Sequence, residues 1–380
     1  MQFTYNLPVN LQFGRGIVEE AGKKTGLYGK KALIVTGTSS TKKTGLLGRV
    51  QALLEKAGLS WALFDKVTPN PTTATVYEGV TLLKTERCDV VLGLGGGSIM
   101  DAAKAIAFMA RNDGDLMDYI YGRKAPGEAL PIVLIPTTSG TGSEGNSFAV
   151  ITDSATGDKK SLRCNQIIAK LSLIDPDLMT TMPRGVLASV GFDALCHCFE
   201  AYISKITQPL AASMALDGVA LIHESLLPLY EGRGGPDEWE KLTWASTLGG
   251  MSIGLAGVTA PHGLEHPPSG LRDIVHGKGL AALSGAIYRR TIAAAPPPAQ
   301  ERFSELARRM GGKGAADFVP LTEALIDALG LRSGLRAQGV RDDDIDWLAE
   351  NALKVSAAGI ANHPVQFSLE EIKAIYKEAM

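Results

Sequence analysis

The sequence predicts an α/β nucleotide-binding domain followed by an all-helical domain. In the first half, short apolar runs that end in Gly, Ser or Thr alternate with amphipathic helical patterns. This alternation is typical of a doubly wound parallel sheet. From Gly185 onward, long amphipathic or Ala-rich patterns replace the β-branched runs. We therefore predict two domains, residues 1–183 and 184–380, with the boundary at Pro183 and Gly185.

The elements follow in order along the chain. In the first domain, strands are expected at 31–37, 88–95 and 131–139, and helices at 45–58 and 72–88. In the second domain, helices are expected at 186–204, 209–230, 236–256, 277–295, 299–311, 318–330, 342–358 and 368–379. Ser368 and Glu371 have capping-box spacing at the start of the last helix.

The composition argues against several classes of protein. Of the 380 residues, 45% are apolar and 21% charged, which is ordinary for a soluble globular chain. A formal net charge of −2 gives no overall field that favours nucleic acid or an acidic membrane. The sequence shows no signal-peptide pattern and no uncharged apolar run of about 18 residues. We therefore expect a cytoplasmic protein with reduced cysteines and without nucleic-acid or membrane partners.

The stretch VVLGLGGGSIMDAAKAIA at 90–107 combines a strand, a glycine turn and the start of a helix. Glycines let the backbone approach a ligand closely, and the following helix directs N–H groups and its positive dipole end at the turn. The pattern therefore predicts a pyrophosphate site. It is also consistent with a plain tight turn in which Ser98 is the N-cap and Asp101 completes a capping box.

A second polar loop, PTTSGTGSEGNS at 136–147, follows the next predicted strand. Its hydroxyls are contributed by Thr137, Thr138, Ser139, Thr141 and Ser143. Ligands of parallel sheets bind beyond the carboxyl ends of the strands, where both loops would meet. Together the two loops favour a nucleotide, although a Ser/Thr cluster can also satisfy its own backbone.

Histidines are scarce and clustered. Three of the six lie within fifteen residues, in the segment 261–279. Asp193 and His197 are four residues apart on one helix face, so both can reach one ion, and His262 and His276 belong to other segments. Three imidazoles and one carboxylate suit Fe(II) or Zn(II). The alternative for the Asp193–His197 pair is a plain helix contact worth about 0.3 kcal/mol.

The remaining histidines have simpler interpretations. His223 and His363 are interpreted as structural residues. His262, Glu265 and His266 spell H-x-x-E-H, the inverted zinc-peptidase motif. Peptidase chemistry requires one helix through both histidines, and two prolines follow immediately, at 267 and 268, which disfavour such a helix. A peptidase would also leave the phosphate-cradling half unexplained.

Five stretches together resemble the iron-containing (group III) alcohol dehydrogenase family. In family order they are GGGSIMDAAKAIA, PTTSGTGSEGNSFAVITD, IDPDLMTTMP, GFDALCHCFEAY and the three-histidine segment. The resemblance implies the dehydroquinate-synthase-like architecture, an N-terminal nucleotide domain and a C-terminal helical domain with the active site between them. It also implies a metal-dependent, NAD(P)-linked alcohol dehydrogenase or aldehyde reductase for small alcohols or aldehydes, usually a homodimer or larger homo-oligomer.

The resemblance also implies roles for individual residues. The metal ligands of the family match Asp193, His197, His262 and His276, and a proton-handling histidine near the substrate matches His266. The two cofactor loops match Gly95, Gly96, Gly97, Ser98, Thr137, Thr138 and Thr141. Lys159 stands where the family often places a cofactor-contacting lysine, with Lys160 as the alternative. The stretches HGLEHPPSG and HGKGLA depart from the usual family sequences in what we interpret as the substrate cleft.

The loop VTGTSSTKKTG at 35–45 bears on the nicotinamide cofactor. NAD enzymes usually place an acidic residue near here to accept from the ribose 2′-OH. This loop instead offers small donors and positive charge, from Gly37, Thr38, Ser39, Ser40, Lys42 and Lys43. It resembles the NADP(H)-using branch of the family. We predict Fe2+, with Zn2+ as an alternative, and NADP(H) rather than NAD(H), unless the lysines are simply solvated at a helix start.

Three other functions stay open at this point. A dehydroquinate-synthase-like lyase shares the architecture, but only Arg272 and Lys278 could anchor a phosphorylated sugar acid near 262–279. A glycerol-dehydrogenase-like relative would differ in substrate and metal. A non-enzymatic nucleotide-binding protein with a vestigial site is disfavoured, because all four candidate ligands are present.

Overall fold

The structure, a computed structural model, describes residues 2–380 and divides into two compact units. One unit comprises 6–138 and 142–182, and the other comprises 2–5, 139–141 and 183–380. The segment 139–141 thus groups with the helical unit, although it lies inside the predicted first domain. Ser139 hydrogen-bonds Thr243 at 3.1 Å, and Gly140 packs so tightly on Val190 that a Cβ would lie 2.7 Å from the valine Cβ.

The first unit is the α/β unit. Its strands are β1 (Leu11–Phe13), β2 (Lys31–Gly37), β3 (Ser60–Val67), β4 (Val90–Gly95), β5 (Ile132–Pro136), β6 (Phe148–Thr152), β7 (Lys159–Arg163) and β8 (Leu171–Ile174). Its helices are α1 (Ala21–Thr25), α2 (Ser40–Lys43), α3 (Leu46–Lys56), α4 (Thr73–Glu86), α5 (Gly97–Met109) and α6 (Leu116–Ile120). Six strands form a parallel sheet in the order β1-β8-β5-β4-β2-β3, and β6 pairs with β7 in an antiparallel ribbon.

Both faces of the parallel sheet are buried, which explains the continuous apolar runs in its strands. In β2, Leu33 and Val35 belong to one hydrophobic cluster, whereas Ala32 and Ile34 belong to the other. Every residue of β4 is buried. Helices cover a sheet of this kind on both sides, so alternation of apolar and polar residues is not required. The predicted doubly wound parallel sheet is confirmed.

The predicted strands and helices of this unit are found with slightly shorter bounds, but five strands were not predicted. β1 and β8 have only three and four residues. β3, SWALFDKV, is an edge strand that carries exposed polar residues and therefore lacks the apolar run of the inner strands. The β6–β7 ribbon lies outside the main sheet.

The second unit contains only helices in the part of it that the structure describes. They are α7 (Arg184–Ile203), α8 (Pro209–Tyr230), α9 (Pro236–Ala256), α10 (Ala260–Arg272), α11 (His276–Ala294), α12 (Pro297–Arg309), α13 (Ala315–Ala328), α14 (Ile345–Val355), α15 (Ala357–Asn362) and α16 (Leu369–Ala379). The predicted capping box of Ser368 and Glu371 at α16 is confirmed. The helix predicted at 342–358 divides at Ser356 into α14 and α15. Edge-to-face contacts of Phe318 with Phe199 and Tyr288 lie in the core.

The expectation that two prolines disfavour a helix through the histidine segment is wrong. α10 continues through Pro267 and Pro268 to Arg272. A proline has no N–H, so the carbonyl four residues earlier loses its helical partner. For Pro268 that carbonyl belongs to Leu264, and the buried hydroxyl of Tyr376 donates to it at 2.6 Å. A side chain from α16 thus supplies a hydrogen bond to a carbonyl that proline leaves without a helical partner.

Two helices, α7 and α8, are long and apolar enough to cross a membrane when judged by length and composition alone. The apolar window of α7 is 83% buried and that of α8 is 39% buried. Core helices of water-soluble proteins pass the same test, so it carries little weight here. α7 also holds two buried carboxylates, Asp193 and Glu200, within its span.

His363 is a buried structural histidine whose tautomer follows from its neighbours. Its Nε2 lies 2.7 Å from the Thr291 hydroxyl, which itself donates to the Ile287 carbonyl at 2.8 Å. Nε2 therefore carries the proton, and the buried Nδ1 is unprotonated and has no hydrogen-bond partner among the described residues. Burial lowers the pKa of His363 to about 3.

We expect His363 to make the fold acid-sensitive. The unfolded chain takes up this proton near pH 6.5 and the folded chain only near pH 3, so stability present above pH 6.5 is lost as the pH falls. At pH 5 the loss should be about 2 kcal/mol. Urea unfolding at pH 7.5 and pH 5 should show a smaller pH-dependent loss for His363→Gln than for the unsubstituted chain. Equal losses in both proteins would contradict this assignment.

Candidate metal centre and nucleotide-binding turns

Three imidazole nitrogens converge on one carboxylate oxygen in the helical unit. The Nε2 atoms of His262, His276 and His197 lie 3.2, 3.6 and 3.7 Å from Asp193 Oδ1. Bonds of about 2.0–2.2 Å to a tetrahedral ion place neighbouring donor atoms about 3.4 Å apart. The ligand atoms of Asp193, His262 and His276 all lie within 4.8 Å of one another, a spacing that fits a divalent metal ion, and His197 adjoins this group through Asp193.

Three helices contribute these side chains. Asp193 and His197 lie one turn apart on α7, His262 lies in the first turn of α10, and His276 is the first residue of α11. Asp193, His197 and His262 are almost fully buried, whereas the His276 side chain is 26% exposed. The cluster is therefore enclosed by protein except at His276.

Two buried glutamates hold the Nδ1 atoms of two of these rings, whereas the buried Nδ1 of His197 has no hydrogen-bond partner among the described residues. His262 Nδ1 hydrogen-bonds Glu200, and His276 Nδ1 hydrogen-bonds Glu265. Each glutamate accepts a hydrogen bond from an Nδ1–H group, so Nε2 is the nitrogen of His262 and of His276 that faces Asp193 and could bind a metal ion in place of a proton. Glu200 also accepts from the backbone N–H of Thr259 at 2.6 Å. Carboxylate-supported imidazoles of this kind are typical of metal ligands.

The sequence prediction missed the role of both glutamates. Glu200 follows His197 by three residues in an apolar helix, where a carboxylate needs a buried partner, and this was the available signal. Glu265 was considered only as part of the H-x-x-E-H motif. In the structure it hydrogen-bonds His276 and also lies close to His266, whereas His262 groups with Asp193 and His276.

Burial and the facing charges shift the pKa values in opposite directions. Burial acts to raise the pKa of Asp193, but His197, His276 and His262 outweigh it and hold that pKa below its usual range. Burial lowers the pKa of His197 to about 4. Burial also acts to lower the pKa of His262, but Glu200 and Asp193 outweigh it and raise that pKa to about 10. The nearby carboxylates thus outweigh burial at His262, whereas burial outweighs them at His197.

His266 lies beside the cluster, one helical turn after His262. Its ring centroid is 5.9 Å from that of His276 and 6.0 Å from that of His262. It is partly exposed, whereas His262 is buried. This position fits a group that exchanges protons between the cluster and solvent.

The two predicted cofactor loops lie side by side in the α/β unit. Gly95 ends β4 with φ +155, Gly96 is the N-cap of α5, and Gly97 and Ser98 open that helix. A Cβ at Gly96 would lie 2.9 Å from Thr138 Oγ1, and Thr137 N donates to Gly95 O at 3.1 Å. The first N–H groups of a helix lack helical partners, so this junction offers donors to an anion.

The predicted capping box at this turn is wrong. The N-cap of α5 is Gly96, not Ser98, and Asp101 is buried. Asp101 accepts from Ser143 Oγ at 2.6 Å and from Val150 N at 2.9 Å. The Asp101 carboxylate therefore does not cap the helix but accepts hydrogen bonds from residues more than 40 positions away along the chain.

Lys104 joins Asp101 in holding that loop. It is fully buried, and its Nζ donates to the backbone carbonyls of Ser143, Asn146 and Phe148 at 2.6, 3.0 and 2.8 Å. Burial lowers the pKa of Lys104 to about 8, although Asp101 opposes this. α5 therefore carries the glycine turn at its start and anchors residues 143–148 from its middle.

The remaining cofactor candidates occupy separate places. Lys159 is the first residue of β7 and donates to Asn70 at 2.8 Å, whereas Lys160 lies 5.7 Å from the Tyr121 ring centroid. Gly37 ends β2, and Ser39 and Ser40 are exposed at the start of α2. Thr141 belongs to the segment that groups with the helical unit. Lys42 forms an ion pair with Asp65, which lowers the pKa of that carboxyl group.

Comparisons with known proteins cover nearly the whole chain. Residues 8–176 match the family described as "Iron-containing alcohol dehydrogenase", and residues 187–380 match "Fe-containing alcohol dehydrogenase family, C-terminal". The chain belongs to the iron-containing alcohol dehydrogenase family. It is a metal-dependent, nicotinamide-linked dehydrogenase that acts on the CH–OH group of small alcohols or, in reverse, on aldehydes.

Individual relatives of this dehydrogenase agree. Alcohol dehydrogenase 4 of Saccharomyces cerevisiae (strain YJM789) is 35% identical and aligns over 97% of this chain and 96% of its own. The NAD-dependent methanol dehydrogenase of Bacillus methanolicus is 33% identical, over 98% and 99%. An archaeal halo-thermophilic alcohol dehydrogenase from a Red Sea brine pool has a TM-score of 0.97 at 34% identity, covering 100% and 99%. None of these matches favours the lyase, glycerol-dehydrogenase-like or peptidase alternatives.

Lys104 and Asp101 are both buried, hold the same loop and influence each other electrostatically, which generates a prediction about the stability of the dehydrogenase. Lys104→Met should lower the free energy of unfolding by about 3–5 kcal/mol, because it leaves three buried carbonyls without their donor and a buried carboxylate without a nearby cation. The double variant Asp101→Asn with Lys104→Met should lose less than the sum of the two single variants. Urea unfolding of the four proteins measures this coupling, and additive losses would show that the pair does not act as a unit.

Proposed function

We propose that Asp193, His197, His262 and His276 would hold one divalent iron ion, or alternatively zinc, in the dehydrogenase. The observation that carries this proposal is the convergence of three Nε2 atoms on Asp193 Oδ1. When bound, the ion acts as a Lewis acid that polarises the substrate C–O bond. The exposed side of His276 is where a substrate would enter.

His266 is the proposed proton carrier. Oxidation of an alcohol releases the hydroxyl proton, and an imidazole beside the cluster can pass that proton to solvent. His266 is partly exposed and adjoins two of the proposed ligands. Glu200 and Glu265 are engaged with ring nitrogens, so they are less suited to this task.

The nicotinamide dinucleotide is proposed to bind on the α/β unit. The glycine turn and the adjacent threonines would receive its pyrophosphate, through Gly95, Gly96, Gly97, Ser98, Thr137 and Thr138, with Lys159 as a further contact. The cofactor would supply the hydride acceptor for alcohol oxidation and the hydride donor for the reverse reaction. Asn70, which holds the Lys159 ammonium, fixes the position of that side chain.

We infer a preference for NADP(H) over NAD(H). The loop after β2 has no acidic residue and presents Ser39, Ser40 and Lys43 to solvent. Asp65 is the nearby carboxylate, and its ion pair with Lys42 offsets its repulsion of a 2′-phosphate. Lys43 is then the cation available to the phosphate.

The ligand assignment predicts loss of metal on substitution. His262→Ala should abolish stoichiometric binding of Fe2+ or Zn2+ and remove turnover, because one of four donors and the partner of Glu200 are lost. Elemental analysis of purified protein measures this. His223→Ala is the matched control, since His223 is exposed on α8, and it should retain full metal. Full metal content in His262→Ala would refute the assignment.

The cofactor preference predicts a higher kcat/KM with NADP than with NAD for the unsubstituted enzyme. Lys43→Ala should lower kcat/KM for NADP by about 5- to 10-fold and leave NAD almost unchanged. Lys56→Ala, at an exposed lysine of α3, serves as the control. Equal effects of Lys43→Ala on the two cofactors, or a preference of the unsubstituted enzyme for NAD, would refute this inference.

We also propose a homodimer or larger homo-oligomer and a cytoplasmic location. Phe3 and Tyr5 are 50% and 53% exposed, and contact with a second copy would cover such apolar side chains. The cytoplasmic proposal follows from the composition and the thiols, all four of which are free.

A further inference from the structure

Glu265 is a fully buried carboxylate that the catalytic scheme does not use directly. We propose that Glu265 is a positioning residue that orients His276 toward the metal ion, and that Gly279 is required to leave room for its carboxylate. The inference rests on the proposed metal site and assigns a role to two residues outside the set of proposed ligands.

His276 needs such support more than the other proposed ligands. Its side chain is 26% exposed, whereas those of His197 and His262 are 6% and 3% exposed. It is the first residue of α11 and follows Val275, which is itself 52% exposed. Packing therefore restrains this ring least, and the hydrogen bond from Nδ1 to Glu265 sets its orientation.

The carboxylate of Glu265 is itself fixed at both oxygens. Ser269, one turn further along α10 and buried, donates its hydroxyl to Oε1. Oε2 is left to accept from His276 Nδ1. The hydrogen bond with Glu265 engages Nδ1, so Nε2 is the ring nitrogen that faces Asp193, at 3.6 Å from its Oδ1. The ring is thus held in the orientation that a metal ligand requires.

Gly279 lies against this carboxylate from the other helix. A Cβ at position 279 would lie 2.8 Å from Glu265 Oε1 and 2.9 Å from its Cγ. It would also lie 2.8 Å from the Ile274 side chain, so the added methyl group would be crowded from two sides. The second glycine of the HGKG stretch is therefore explained by support of His276, rather than by the shape of a substrate cleft.

Metal affinity is the measurement that tests this role. Removing an outer partner of a metal-ligating histidine typically lowers affinity by about 10- to 100-fold. We expect Glu265→Gln to lower Zn2+ affinity by that factor, because the neutral amide keeps the size but loses the charge. Gly279→Ala should lower it at least about 10-fold although this residue bonds to no histidine. Chelator competition on purified full-length protein, followed by Zn2+ content, gives the affinities without reference to turnover.

Two matched controls separate positioning from general disturbance. Glu224→Gln changes an exposed glutamate paired with Lys241, and Gly48→Ala adds a methyl group in α3 where no atom lies within 4 Å. Both should keep the affinity of the unsubstituted protein. With Co2+ in place of Zn2+, Glu265→Gln should also change the visible absorption spectrum, which reports on ligand geometry, whereas Glu224→Gln should not.

The outcomes are distinct. Unchanged Zn2+ affinity in Glu265→Gln would overturn the positioning role, and unchanged affinity in Gly279→Ala would overturn the requirement for glycine. If Gly279→Ala does not fold, Glu265→Gln alone decides the positioning role. Failure of the unsubstituted chain to bind Zn2+, Fe2+ or Co2+ would instead refute the proposed metal site itself.

Discussion

Burying negative charge is the constraint around which the helical unit is arranged. Asp193, Glu200 and Glu265 are 3%, 0% and 0% exposed. Transfer of an ionised carboxylate out of water is costly unless hydrogen bonds and opposite charge compensate it. The partners described for these three groups are imidazoles, hydroxyls and two backbone amides rather than Lys or Arg. A divalent cation beside Asp193 would therefore compensate the negative charge of these carboxylates, and the spacing of the surrounding ligand atoms suits such an ion.

This constraint explains why α10 has an unusual sequence. One short helix must present His262 to Asp193 and Glu265 to His276. It does so while containing two adjacent prolines, and the Tyr376 hydroxyl supplies a hydrogen bond to one carbonyl that they leave without a helical partner. Prolines, which are disfavoured inside helices, thus occur in the helix that carries the candidate site residues, and the hydrogen bond from α16 compensates for one lost helical bond.

Much of this arrangement could be predicted from the sequence, because it depends on local spacing. The i, i+4 pair of Asp193 and His197 and the apolar strands with their glycine turn are patterns within a few residues of each other. The supporting glutamates could not be recognised in the same way. The chain has 40 acidic residues, and the role of Glu200 depends on a histidine 62 positions away.

The errors have the same origin. Asp101 has the spacing of a capping box, but its partner Ser143 is 42 residues distant. The helix through Pro267 and Pro268 depends on a hydroxyl 112 residues from the carbonyl that it supports. Sequence patterns indicate the structure that a segment favours by itself. The role of Asp101 and the helix through the two prolines depend instead on contacts with segments that are distant along the chain.

The anchoring of residues 143–148 by Lys104 has a consequence for redesign of the enzyme. Three backbone carbonyls of that loop accept hydrogen bonds from Lys104 on α5. Replacing the loop with a foreign one would leave the buried Lys104 ammonium without these acceptors. The segment 37–43 exposes Thr38, Ser39, Ser40, Lys42 and Lys43 and is joined to the neighbouring strand by the ion pair of Lys42 with Asp65. We therefore expect these exposed positions to accept substitution without loss of the fold, whereas residues 143–148 can be exchanged only together with the helix that anchors them.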